Sequence, residues 1–128
     1  ENKIYPSLFI VEYNPSLPIN KSLSLSTTFN IKNKKNKRIY GASFLAMYNL
    51  FKKYEYKLIH ISGFSNLFFI KKDFSNNFVE PNFKLEIPKN DEEVKNYIIE
   101  FCQPGFIPSW LGERKLNSDD LKEFVNVD

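Results

Sequence analysis

The chain has 128 residues, a length that suits one globular core, and its 42% hydrophobic residues with only four glycines argue against extended disorder. No apolar run reaches the roughly 18 residues that a membrane-spanning helix needs, and the mild formal net charge of +3 argues against a nucleic-acid partner. One cysteine, Cys102, excludes an internal disulfide, and together with the lack of a leader at residues 1–6 it favours a cytoplasmic location.

The first predicted element is a β-strand from Ser7 to Asn14. Four consecutive apolar residues precede Glu12, which is typical of a strand buried on both faces inside an α/β sheet. Pro15 ends the strand, because proline cannot continue a ladder. The chain offers no obvious partner for the second edge of this strand. We therefore expect that edge to pair with a missing N-terminal half, with a second copy of the chain, or with the extended segment 22–31.

A long connection, from Pro15 to Tyr40, follows this strand. Segment 22–31 alternates between apolar and polar residues and predicts a short extended stretch. A basic cluster comes next, consisting of Lys32, Lys34, Lys35, Lys37 and Arg38. The cluster predicts a solvated loop, and the alternative is that it binds an anionic partner.

An amphipathic helix is predicted after the connection, with Ser43 as its N-cap and its end near Tyr54. Apolar residues recur at positions 44, 47, 48 and 51, a spacing that places them on one face. At 1.5 Å per residue the helix is about 18 Å long, enough to cross back over a sheet. The pattern therefore predicts a βαβ crossover into a strand from Lys57 to Ser62.

Two further strands are predicted to form a hairpin. In the strand from Lys57 to Ser62, Ile59 and Ile61 fall on one face and His60 on the other, which favours an edge strand. The run from Leu67 to Ile70 is apolar on both faces, which favours a central strand. We therefore expect the last strand to lie between the other two, antiparallel to both.

The pattern weakens beyond Asp73. It predicts an extended segment at 83–87, a helix at 90–102 and a short terminal helix from Ser118 to Val125. The chain is therefore divided into a partial α/β domain, residues 1–88, and a helical C-terminal extension packed on it, residues 89–128. No cluster of residues predicts a metal site.

The first half of the chain contains a strand that ends in Glu-Tyr-Asn, a Tyr-Gly-Ala-Ser helix start, a tyrosine before the next strand and a final strand that opens with Asn-Leu-Phe-Phe. These motifs resemble the C-terminal part of FkbM-type S-adenosylmethionine-dependent methyltransferases, which have Gly-Tyr before that strand and an Asn-Ala-Phe-Phe-Val type final strand. The matching residues are Glu12, Tyr13, Asn14, Tyr40, Gly41, Ala42, Ser43, Tyr56, Asn66, Phe68 and Phe69. Glu55 stands where the family has glycine, and Leu67 where it has alanine. The resemblance covers roughly residues 5–74 and does not reach the tail.

The resemblance implies the C-terminal portion of a Rossmann-like sheet, with S-adenosylmethionine as the cofactor of the parent family. The glycine-rich loop of that family and its acidic residues on two earlier strands have no counterpart here. We therefore expect an acceptor-side fragment that binds no cofactor and is inactive alone. The alternative is a free-standing α/β module that binds an anionic partner through residues 32–38.

Five residues form the predicted site. Glu12 and Asn14 end a strand that is predicted to be parallel, and open α/β sheets bind ligands at such ends. The resemblance implies that Glu12 is catalytic, orienting or deprotonating an acceptor hydroxyl, and that Asn14 contacts the small-molecule acceptor. Tyr40, Gly41 and Ser43 lie at the helix start, where backbone amides attract anions, and are predicted to bind substrate. The alternative for each is structural, as a turn or a helix cap.

Overall fold

The computed structural model describes residues 4–18, 21–33, 35–62, 65–78 and 116–127, which form a mixed α/β structure with two antiparallel sheets. The elements are β1 (Leu8–Glu12), β2 (Leu23–Leu25), α1 (Phe44–Lys53), β3 (Tyr56–Ser62), β4 (Asn66–Lys71), α2 (Ser118–Leu121) and β5 (Phe124–Asn126). Two 3-10 turns, Ile31–Asn33 and Lys72–Asn77, follow β2 and β4. The predicted segments 83–87 and 90–102, with Cys102, lie outside the described residues.

The main sheet has the strand order β1-β4-β3. Strand β4 is antiparallel to both neighbours, so β1 and β3 point in the same direction, and α1 lies between them in the chain. The predicted order and crossover are therefore confirmed. The central position of β4 agrees with its burial, since Leu67, Phe69 and Ile70 are all buried.

Strand β1 is more exposed than its apolar sequence predicts. Phe9 and Val11 pack on the main core, but Leu8 keeps 46% and Ile10 57% of their surface exposed. The expectation that this strand is buried on both faces is therefore wrong for this chain. The reason is that α1 covers one face of the sheet, the one that carries Phe9 and Val11.

A bulge changes the faces of β3. Its pairing with β4 shifts between Leu58 and His60, so that Ile61 joins Tyr56 and Leu58 on the buried side. Ile59 is only half-buried, and the expectation that Ile59 and Ile61 share one face is wrong. A bulge inserts one extra residue, which inverts the alternation beyond it.

Helix α1 begins and ends where its sequence predicts. Ser43 caps the first turn by accepting a hydrogen bond from Ala46 N, and Tyr54 is the C-cap. Below the helix, the ring of Phe51 stacks on Phe69 at 4.2 Å between centroids. The main core consists of Tyr13, Phe44, Tyr56, Leu58, Ile61, Leu67 and Phe69. Full burial of one such aromatic side chain contributes about 1.5–3 kcal/mol to stability.

The C-terminal residues form a second core with the connection. The predicted terminal helix stops at Leu121, and the chain continues as β5, which pairs with β2. The expected helix from Ser118 to Val125 is therefore too long, and segment 22–31 does not cross the edge of β1. The change from helix to strand buries Phe124 beside Leu17, Ile39 and Leu116 in the second core.

Candidate functional site

The candidate residues lie where β1 ends and the connection returns to α1. Glu12 is the last residue of β1, and Asn14 follows two positions later. The backbone N–H of Asn14 donates to the carbonyl oxygen of Ala42 at 2.7 Å. This hydrogen bond brings the end of β1 next to the segment that contains Tyr40, Gly41 and Ser43.

Asn14 is completely buried, and its amide group is fully engaged within the protein. Its Nδ2 donates to the carbonyl oxygens of Arg38 at 2.7 Å and Tyr40 at 2.8 Å, and its Oδ1 accepts from Ser16 N at 2.9 Å. Both amide protons therefore bind the connection. Asn14 shapes the backbone at the site, and direct contact with an acceptor stays a prediction.

Ser43 is also completely buried, and it links α1 to β2. Besides capping the helix, its Oγ accepts from Leu23 N at 2.9 Å and donates to the carbonyl oxygen of Lys21. The backbone N–H of Ser43 donates to the Leu23 carbonyl at 2.8 Å. The capping role that the sequence predicts is therefore confirmed. The Ser43 hydroxyl makes three hydrogen bonds in all, each to a backbone group of the protein.

Gly41 is exposed and adopts φ +62°, a left-handed conformation. A Cβ atom at this position would meet nothing within 4 Å. Glycine is favoured at this position because it adopts a left-handed backbone conformation without strain. Steric exclusion of a side chain is not the reason, since there is room for a Cβ atom.

Glu12 and Tyr40 present the solvent-facing groups of the site. Glu12 is exposed, and Tyr40 keeps 36% of its surface exposed. Burial of the rest of Tyr40 raises the pKa of its phenol, the nearby Arg38 guanidinium acts in the opposite direction, and the Glu12 carboxylate raises the pKa further. Tyr40 therefore carries a protonated, neutral hydroxyl at neutral pH, and the Glu12 carboxylate is close enough to disfavour the loss of its proton.

Arg38 belongs to the site, although the sequence places it in the basic cluster. It is half-buried, its Nη1 donates to Ser16 Oγ at 3.2 Å, and its guanidinium acts on Tyr40. The available signal was its position two residues before Tyr40, although a turn at residues 37 and 38 means that no strand alternation predicts the direction of its side chain. The described lysines of the cluster, Lys32, Lys35 and Lys37, are exposed. Binding of an anionic partner by these lysines stays a prediction.

The surface formed by Glu12, Ser16, Arg38 and Tyr40 combines three kinds of polar group. The carboxylate accepts a proton or hydrogen bond, the phenol and hydroxyl donate, and the guanidinium attracts negative charge. Each of these groups can bind a polar group of a ligand, and binding of a small-molecule acceptor here stays a prediction. Among the described residues, no group of three or more histidine, cysteine or acidic side chains could hold a metal ion. None of the helices in the described part of the chain is long and apolar enough to cross a membrane.

Comparisons with protein-family profiles, with curated proteins and with solved structures return no match to this chain.

Proposed function

We propose that this chain is the C-terminal, acceptor-side part of a Rossmann-like methyltransferase of FkbM type, and that it is inactive alone. The strand order β1-β4-β3 carries the proposal. An antiparallel strand inserted between two strands of equal direction, with a helix crossing between them, is similar to the end of a methyltransferase sheet. The motifs that resemble the family lie at the ends of these same elements.

The backbone at the motif positions supports the resemblance. Gly41, from the Tyr-Gly-Ala-Ser motif, has φ +62°. Glu55, which stands where the family has glycine, has φ +61°, a conformation that glycine adopts without strain. Two positions at which the family has glycine therefore both adopt the left-handed conformation. This agreement supports the alignment of residues 40–56 with the family.

None of the described strands pairs with the outer edge of β1, which supports a partner strand upstream. Ser7 O accepts from Lys71 N and Tyr13 N donates to Ser65 O, so odd-numbered residues of β1 face β4. In an antiparallel ladder the alternate residues direct their N–H and C=O groups the other way. The amides of Ile10 and Glu12 therefore point toward the outer edge, where a further strand of the parent sheet would pair.

In this proposal the chain supplies the acceptor side of the reaction. Glu12 accepts the proton of an acceptor hydroxyl, while Tyr40 and Arg38 orient the acceptor. The chain itself does not fit S-adenosylmethionine, because its four glycines are scattered singly and form no glycine-rich turn. We therefore assign no cofactor contact to these residues.

Amide hydrogen exchange tests the edge of β1. In dilute solution of the 128-residue chain, the amides of Ile10 and Glu12 should exchange rapidly and those of Phe9 and Val11 slowly. When the chain is lengthened by its upstream coding sequence, the amides of Ile10 and Glu12 should become protected. Their continued rapid exchange in the lengthened chain would contradict the proposal, as would a start codon directly before Glu1. The same exchange rates measured over a series of protein concentrations identify pairing between two copies of the chain, which is the other partner expected for this edge. Such pairing would slow the exchange of Ile10 and Glu12 as the concentration rises.

A further inference from the structure

The C-terminal residues 116–127, called here the C-terminal strap, share a core with the connection. Leu116 and Phe124 of the strap are buried against Leu17 and Ile39, which lie near the two ends of the connection. Leu23, Leu25, Phe29 and Leu121 pack around them. This second core has no member in common with the main core under α1.

Polar contacts reinforce the attachment of the strap. Strand β5 pairs with β2 over three residues, and Val127 N donates to the Ser22 carbonyl at 2.8 Å. Ser22 Oγ in turn donates to the Val127 carbonyl. Asn36, in the basic part of the connection, donates from Nδ2 to Asp120 Oδ2 at 2.9 Å. The strap is therefore attached to both the middle and the basic part of the connection.

Strand β2 connects the strap to the candidate site through backbone hydrogen bonds. Leu25 N donates to the Gly41 carbonyl at 2.9 Å, and Ser24 forms an antiparallel bridge with Ala42. Ala42 in turn accepts from Asn14 N. A continuous series of backbone hydrogen bonds thus runs from β5 through β2 to the helix start and the end of β1.

We propose that the C-terminal strap can dissociate from the rest of the fold. While bound, it holds the connection in place, and with the connection the Tyr40 side of the candidate site. The strap closes the second core, whereas the main sheet has a core of its own. Withdrawal of the strap, by proteolysis or by a partner that captures it, would release the connection and leave the main sheet folded. This inference does not depend on which reaction the site supports.

Amide exchange in the full chain tests the strap with the variant Phe124→Ser. Loss of this buried ring from the second core should raise the exchange rates of the Leu25 and Ser43 amides on the order of a hundredfold. The amides of Val11 and Phe69, which belong to hydrogen-bonded pairs between β1 and β4, should keep their protection. Unchanged protection at Leu25 and Ser43 would overturn the proposal. Equal loss in the main sheet would also overturn it, because the strap would then be part of one cooperative unit.

Two further variants make the test specific. Val125→Ser changes the neighbouring residue of β5, whose side chain is exposed, and should leave the exchange at Leu25 and Ser43 unchanged. Asp120→Ala removes the contact with Asn36 and the hydrogen bond from Asn117 N that caps α2, but it takes no side chain from the second core, and it should raise the same exchange rates by a smaller factor. An effect of Val125→Ser as large as that of Phe124→Ser, or no effect of Asp120→Ala, would contradict the assigned contacts.

Discussion

The side-chain Nδ2 of Asn14 donates a hydrogen bond of 2.8 Å to the carbonyl oxygen of Tyr40, 26 positions further along the chain. This contact joins the end of β1 to the end of the connection. It places the exposed carboxylate of Glu12 near the phenol of Tyr40, and the charge of Glu12 acts on that phenol. One buried amide thus holds together the two segments of the candidate site, whose polar groups face the solvent.

Substitution of Asn14 should destabilise the protein strongly. Asn14→Ala leaves two carbonyl oxygens and the Ser16 N–H without their partner, and we expect a loss of about 2–4 kcal/mol in the free energy of unfolding. Asn30→Ala is the matched control, because Asn30 is exposed and makes a similar turn contact with Lys32 N. That control should change stability by less than about 0.5 kcal/mol. Denaturant titration measures both, and equal effects would show that burial of Asn14 is unimportant.

Glu55→Gly should stabilise the protein. Glu55 adopts φ +61° directly after the C-cap of α1, a conformation that costs a residue with a side chain roughly 1–2 kcal/mol. Glycine removes this cost but loses more entropy on folding, so we expect a net gain of about 0.5–1 kcal/mol. Glu55→Ala keeps the Cβ atom and is the control for the removed carboxylate. A gain as large in Glu55→Ala would assign the effect to charge instead of backbone conformation.

The pKa of Tyr40 should report its proximity to Glu12. Since the carboxylate raises the pKa of the phenol, Glu12→Gln should lower it, as followed by NMR of the labelled tyrosine ring. Glu55→Gln, which removes an exposed carboxylate elsewhere, should leave the pKa unchanged. An unchanged pKa in Glu12→Gln would mean that the two groups are not neighbours in solution.

Stability at high pH should depend on Tyr40. The folded state raises the pKa of the phenol and so favours its neutral form. The stability associated with that form is fully present below the ordinary tyrosine pKa of about 10, and is lost as the pH rises through the raised value. Tyr40→Phe should therefore lose less stability than the wild-type chain over this range. Parallel losses in unfolding titrations across alkaline pH would contradict the assigned burial.

The sequence predicts the main sheet well, because its burial patterns are local. The apolar run of β4 can be satisfied only in the centre of a sheet, and Ser43 lies one residue before a clear amphipathic repeat. The bulge in β3 has no such signal, since Ile59 and Ile61 alternate as in a regular strand. Its position depends on pairing with β4, which a periodicity argument does not include.

The second core could not be predicted from local pattern. Phe124 is separated from its partner Leu17 by more than a hundred residues, and the three-residue strands β2 and β5 are too short to show alternation. The candidate site shows the same limit of local pattern. The motifs indicate Glu12 and Tyr40, whereas the place of Arg38 beside them depends on the contacts that it makes with Asn14 and Ser16.

The most direct test of the account is calorimetric titration of S-adenosylmethionine into the chain lengthened by its upstream coding sequence and into the 128-residue chain. The account predicts micromolar binding by the lengthened chain and no measurable binding by the shorter one, because the proposal assigns the glycine-rich turn and the acidic residues to an upstream half. No binding by the lengthened, folded chain would contradict the methyltransferase proposal. Micromolar binding by the 128-residue chain would contradict the proposal that its residues do not fit the cofactor.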